Sequence, residues 1–192
     1  NTTFSDVAQL TGMAATDWSW SNLIADFNND GLKDTYITNG LLYDIRNTDA
    51  DRNVAKFIDE KRYDWLQKHP DGGNINSVFD ILNLEEVIAL IPSRPLKNYA
   101  FKNNGDLKFQ KVMEEWGLNE ESFSNGSAYA DLDNDGDLDI VVNNINSEAF
   151  VYRNNSENIA NSNFLRVQLV DDKHRPVLGT RVNLYSGNET QT

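Results

Sequence analysis

The chain contains no cysteine, two histidines, two methionines and four prolines among its 192 residues, and its basic side chains are outnumbered by acidic ones, 17 to 30. Without cysteine there are no disulfides, thiolate metal sites or thiol nucleophiles, and the redox compartment stays open. The net charge of −13 disfavours nucleic acid or an anionic membrane surface as a partner, because the phosphate term would repel. No run of about 18 apolar residues exists, so no transmembrane helix is expected. The chain starts at Asn1 with no charged and apolar leader, so a signal peptide is expected to be removed or to lie upstream. What is present suffices for a core: 39% of residues are hydrophobic and 10% aromatic, which excludes global disorder.

The acids are clustered. Asp26 to Asp34 (Asp-Phe-Asn-Asn-Asp-Gly-Leu-Lys-Asp) and Asp131 to Asp139 (Asp-Leu-Asp-Asn-Asp-Gly-Asp-Leu-Asp) share one arrangement, with oxygen side chains at loop positions 1, 3, 5 and 9 and glycine at 6. Such groups repel one another unless a hard cation sits between them. Ca²⁺, which takes six to eight oxygens at about 2.3–2.6 Å, suits the spacing. Asp26, Asn28, Asp30 and Asp34 are the expected side-chain ligands of a first site, with the Leu32 carbonyl. Asp131, Asp133, Asp135 and Asp139 are those of a second, with the Asp137 carbonyl and the Asp137 side chain turned away. Four carboxylates against three predict tighter binding at the second loop. Gly31 and Gly136 permit the sharp turn. Position 12 is Ile37 or Val142 rather than glutamate, so these are not helical EF-hands. Each loop runs into a β-branched segment and joins two strands.

A repeat underlies the pair. At an offset of 105 residues Phe4 falls on Phe109, Gly12 on Gly117, Asp26 on Asp131 and Asn39 on Asn144, without a gap. A shorter echo relates Phe101-Lys102-Asn103-Asn104 to Tyr152-Arg153-Asn154-Asn155 at 51 residues, in the range of propeller blades. Asp26 to Phe101 spans 75 residues and Asp131 to Tyr152 only 21, so the first unit carries about 54 extra. Hence blades over 1–40 and 98–155, an insertion over 41–97, a linker over 156–163 and a further β segment over 164–192 are expected. In the insertion, helical spacing predicts one helix from Asp51 to His69 and another from Val78 to Ile91, the latter opened by a Ser77–Asp80 capping box. Strands are expected over 164–170 and 178–185, with a turn at Ser186-Gly187-Asn188.

These residues resemble the calcium loops of FG-GAP/VCBS repeats. The surrounding Trp18-Ser19-Trp20, Asn39-Gly40 and Tyr152 to Asn155 are similar to bacterial VCBS-repeat proteins related to cartilage acidic protein. Phe164 to Tyr185 resembles the start of an ASPIC/UnbV domain, with Leu178-Gly179-Thr180-Arg181-Val182 as its imperfect core. The resemblance implies a mainly β fold, part of a β-propeller, on a secreted or cell-surface protein with two Ca²⁺ sites. A closed seven-blade ring needs roughly 350 residues, so the remaining blades are expected from a longer chain or a partner. The function expected is non-catalytic recognition of a protein or glycan outside the cell. The alternatives are a carbohydrate-binding module accessory to glycan uptake or degradation, and an enzyme. Trp18, Trp20, Tyr63 and Trp65 are candidate sugar platforms, although core roles are expected for Trp65 and one of the Trp18/Trp20 pair. His69 and His174 lack any nucleophile motif, and no Gly-rich phosphate loop exists.

Overall fold

The computed structural model describes residues 3–71, 77–156, 165, 167–187 and 189–191. In chain order they form α1 (Ala8–Thr11), β1 (Ser19–Ala25), β2 (Asp34–Asn39), α2 (Thr48–Lys68), a 3-10 turn (Val78–Asp80), α3 (Leu84–Ile88), β3 (Leu96–Lys97), β4 (Tyr99–Asn103), β5 (Phe109–Lys111), β6 (Glu121–Ser122), β7 (Ser124–Ala130), β8 (Asp139–Asn144), β9 (Phe150–Tyr152), β10 (Leu184–Ser186) and β11 (Glu189–Gln191). The protein is mainly β, in four antiparallel sheets ordered β1-β2-β4-β5, β7-β8-β9, β3-β6 and β10-β11. The described strands close no barrel or ring. No described helix is long and apolar enough to cross a membrane.

The repeat is visible residue by residue. β7 and β8 have the bounds of β1 and β2 moved by 105 residues. In the first sheet Thr35 pairs with Phe101 and Ile37 with Tyr99; in the second Ile140 pairs with Tyr152 and Val142 with Phe150. Both hairpins slip register at the same place, between Ser19 and Asn22 and between Ser124 and Gly126. The two loops therefore leave and re-enter their sheets at equivalent points. Both meanders feed one core of buried Ala25, Phe27, Tyr36, Ala100, Val112, Leu118, Ile140 and Val142. The Ser127 hydroxyl donates to Ser21 Oγ at 2.9 Å, stitching β7 to β1.

At the far end of the strands a buried polar chain joins the meanders. The Asn39 N–H donates to Asn98 Oδ1 at 2.8 Å, Asn98 Nδ2 to Ser124 Oγ at 3.0 Å, and Ser124 Oγ to Asn144 Oδ1 at 2.7 Å. Paired in this way, the Asn98, Ser124 and Asn144 side chains fix the register between the meanders, while the buried Asn39 Oδ1 accepts no hydrogen bond. The chain leaving β2 comes so close to the segment before β7 that a Cβ on Gly40 would lie 2.3 Å from the Ser124 nitrogen.

Three expectations are revised. One of the Trp18/Trp20 pair was expected to fill the core; instead Trp20 is 57% exposed and donates its indole N–H to the Gly40 carbonyl, while Trp18 lies half-buried with the Arg46 guanidinium 4.7 Å above its ring. The large aromatics of the core are Phe27 and Tyr36 instead. In the insertion α2 begins earlier than expected, because Asn47 caps it with bonds to the Asp49 and Ala50 N–H groups. The second helix splits: the Ser77–Asp80 capping box forms, but only over a 3-10 turn, and Asn83 caps a separate α3. Trp65 is half-buried and stacks on His69 at 4.3 Å. Towards the C-terminus, the expected long strands reduce to a Val170–Pro176 bridge and the short β10–β11 hairpin. Leu178 is 91% exposed, and such segments lack a neighbouring sheet to pair with. The expected linker and Phe164 lie outside the described residues, Ser156 excepted.

Gly40→Ala is expected to cost about 1–3 kcal/mol by overpacking against backbone. Gly126→Ala, with nothing within 4 Å of its added Cβ, is expected to stay neutral or gain up to about 1 kcal/mol. Urea midpoints of the two variants check the contrast.

Candidate metal centre

Each loop takes its shape from two left-handed residues. Asn29 (φ 57°) and Gly31 (φ 87°) in the first are matched by Asn134 (φ 66°) and Gly136 (φ 97°) in the second. Asparagine and glycine are the residues that enter this region most cheaply. The turns aim backbone N–H groups at loop carboxylates: the Leu32 N–H donates to Asp30 Oδ1 at 2.9 Å, and the Asp137 N–H to Asp135 Oδ1 at 3.0 Å. In the first loop Asp26 also accepts from the Asp30 and Gly31 N–H groups at 3.1 and 2.7 Å.

The position-nine carboxylates act as clasps. Asp34 accepts from the Phe27 N–H at 3.1 Å and the Asn103 N–H at 2.9 Å; Asp139 accepts from the Leu132 N–H at 2.9 Å and the Asn154 N–H at 2.8 Å. Both are buried. Burial pushes the Asp34 carboxyl up to about 6, opposed by its bonds from Asn103 and Phe27. The expected ligand oxygens of Asp34 and Asp139 thus already hold backbone, and each keeps a second lone pair for an ion. The asparagines reciprocate: Asn103 Nδ2 donates to the Lys33 carbonyl at 3.1 Å and Asn154 Nδ2 to the Leu138 carbonyl at 3.3 Å.

Positions 1, 3 and 5 of the second loop converge. Asp131, Asp133 and Asp135 each offer a carboxylate oxygen, all within 4.8 Å of one another. Three hard anionic oxygens at such spacing, with no nitrogen or sulfur donor, fit a hard divalent cation. In the first loop Asn28 replaces the middle aspartate, donating from Nδ2 to Asp30 at 2.8 Å and accepting the Asp30 N–H at 3.3 Å. The Leu32 side chain is 39% exposed, leaving only its backbone for a ligand role.

Four features were not read from the sequence. Lys102 and Arg153, one residue beyond the echoed aromatics, pair with the loop acids: Lys102 with Asp30 at 3.5 Å, Arg153 with Asp133 at 2.7 Å and Asp135 at 3.2 Å. The Asp137 N–H and then Arg153 hold the Asp135 carboxyl below the usual carboxylate range. Asn103 and Asn154, next in line, are the clasp partners described above. The 51-residue echo contained all these positions without revealing their roles. Finally, the Asp137 side chain is buried, accepting from Asn29 Nδ2 of the other loop and from the Ser156 hydroxyl at 3.0 Å. Asn154 Nδ2 and Ser156 Oγ both donate to the Phe27 carbonyl, at 2.6 and 3.3 Å. The two loops are therefore one connected unit.

A sequence model of the FG-GAP-like repeat matches residues 84–142, a stretch that runs from α3 into β8 and contains the whole second loop. None of the curated proteins matches the chain.

Because Asn29 and Asp137 meet across the loops, Asn29→Ala and Asp137→Ala are expected to be non-additive. A double-mutant cycle by urea unfolding in chelator should return a coupling of about 0.5–3 kcal/mol; additivity would mean the contact holds nothing.

Proposed function

We propose that this chain is a non-catalytic, calcium-binding β-propeller module of a secreted or cell-surface protein that serves protein or glycan recognition. The observation that carries the reading is the convergence of Asp131, Asp133 and Asp135 in a loop whose turn geometry and clasp recur around Asp26 to Asp34. The match to an FG-GAP-like repeat supports it, as do two antiparallel meanders in equal register, which are the form of propeller blades.

In this reading Asp131, Asp133, Asp135 and Asp139 hold one Ca²⁺ with the Asp137 carbonyl. Asp26, Asn28, Asp30 and Asp34 hold another with the Leu32 carbonyl. When bound, the ion supplies positive charge that relieves carboxylate repulsion and cross-links the hairpin. Calcium is favoured over magnesium because a flexible loop of side-chain and carbonyl oxygens meets its larger, looser coordination shell. The second loop, with one more carboxylate, is the tighter site.

The function is structural and not chemical. His69 is engaged with Trp65, both by stacking at 4.3 Å and by a ring-nitrogen bond to the Trp65 carbonyl at 3.0 Å, and the loop acids are committed to backbone, cations and the proposed ions.

Thermal melts and calcium titrations test the reading. With free Ca²⁺ about 100-fold above Kd, stabilisation of roughly 2.7 kcal/mol over chelator is expected. Asp131→Ala should remove the tighter site, Asp26→Ala the weaker, and the double variant the entire shift. A melting temperature indifferent to chelator would overturn the assignment.

A further inference from the structure

The two repeats place their cations around a single cleft. A cavity of about 510 Å³ opens between the meanders, with Phe27, Leu118, Ile140 and Trp116 on its lining together with Lys102 and Arg153. Its size falls in the range of small-ligand sites. Lys102 and Arg153 occupy equivalent positions of the 51-residue echo. Their side chains are 33% and 60% exposed, so solvent and solutes reach both.

We propose that this cleft binds an acidic sugar, and that calcium in the loops switches it on. The proposal rests on the reading of the loops as calcium sites. Lys102 is now paired with Asp30, and Arg153 with Asp133 and Asp135. Those three carboxylates are the ones a loop ion takes. Exposed ion pairs of this kind are weak, whereas a divalent cation binds the same oxygens directly and with twice the charge. Calcium therefore takes over the anionic partners of two cations that already line the cleft.

The charge balance of the lining changes accordingly. Without calcium, Lys102 and Arg153 face Asp30 and Glu115 on the same lining, and the charges cancel. With Asp30 held by its ion, Lys102 and Arg153 outnumber Glu115, the acid left on the lining. Apolar side chains, an indole and two cations on one lining together match a ring with one hydrophobic face and one carboxylate, which is the chemistry of a uronic acid. Trp116 offers the face for stacking, and Lys102 and Arg153 the charge-assisted bonds to the carboxylate. A cavity of this size favours one or two sugar rings over an extended acidic peptide.

Isothermal titration of the 192-residue chain with sodium galacturonate, in saturating Ca²⁺ and in EDTA, tests the proposal, with Ca²⁺ binding measured separately in the absence of sugar. The expected result is galacturonate binding in Ca²⁺ that weakens at least tenfold in EDTA and at least tenfold when neutral galactose replaces it. Lys102→Gln and Arg153→Gln should each weaken galacturonate at least fivefold, while Ca²⁺ affinity stays equal or rises because a competing cation is gone. That retained Ca²⁺ binding also shows that the variants fold. Ca²⁺ binding with no galacturonate binding, or with an affinity indifferent to EDTA, overturns the cleft and leaves the loop assignment standing. Galacturonate binding unchanged in both glutamine variants overturns it too, since the sugar would then sit on the ion itself. Equal binding of galactose, or preference for a poly-glutamate peptide, overturns the acidic-sugar class. Failure to bind Ca²⁺ overturns the loop assignment, and the switch with it.

Discussion

Asp34 and Asp139 stand at the first residues of β2 and β8, buried and each grasped by two backbone N–H groups. One of those donors belongs to the start of the loop and the other to the third residue of the 51-residue echo, so a single carboxylate ties three pieces of a meander together. Burying a carboxylate is costly, and only charge-assisted bonds of this kind offset it. The tension is visible in Asp34, whose carboxyl burial pushes up to about 6 while the Asn103 and Phe27 N–H groups pull it down. Everything above the clasp inherits its position: the left-handed turns at loop positions four and six, the carboxylates those turns display, and the cation that answers them from the neighbouring strand.

Repetition turns this local device into a larger one. The first loop reaches the second through Asn29 and Asp137, and the segment after β9 returns through Asn154 and Ser156 to the Phe27 carbonyl. At the opposite end of the strands, the Asn39–Asn98–Ser124–Asn144 chain does the same work. The shared core is thus bracketed by polar networks at both ends. In the proposed function, ions in the loops strengthen one bracket.

Much of this was legible before any coordinates. The loops were recognisable because their logic is local: a turn of nine residues with oxygen at alternate positions and glycine at the bend carries its geometry in its own spacing. That each loop joins two strands followed from the same logic, and the 105-residue repeat is exact in the fold, where β7 and β8 repeat β1 and β2 to the residue. The Ser77–Asp80 capping box was also readable, since both partners lie within one turn. Where the next element stopped was not, because Asn83 starts a new helix only when the chain between has already bent.

What the sequence by itself determined was therefore everything set by contacts within a few residues or by the repeat: two acidic loops, the hairpins that carry them, a helical insertion and the absence of thiol chemistry. Tertiary structure alone decided which side chains those elements would meet. Trp18 and Trp20 lie outside the core because their partners come from elsewhere in the chain, the Gly40 carbonyl for Trp20 and the Arg46 guanidinium for Trp18. Asp34 and Asp139 became clasps because Asn103 and Asn154 arrive from a third strand. Lys102 and Arg153 share one cleft only once the two meanders face each other. Such pairings lie tens of residues apart, and no local spacing encodes them.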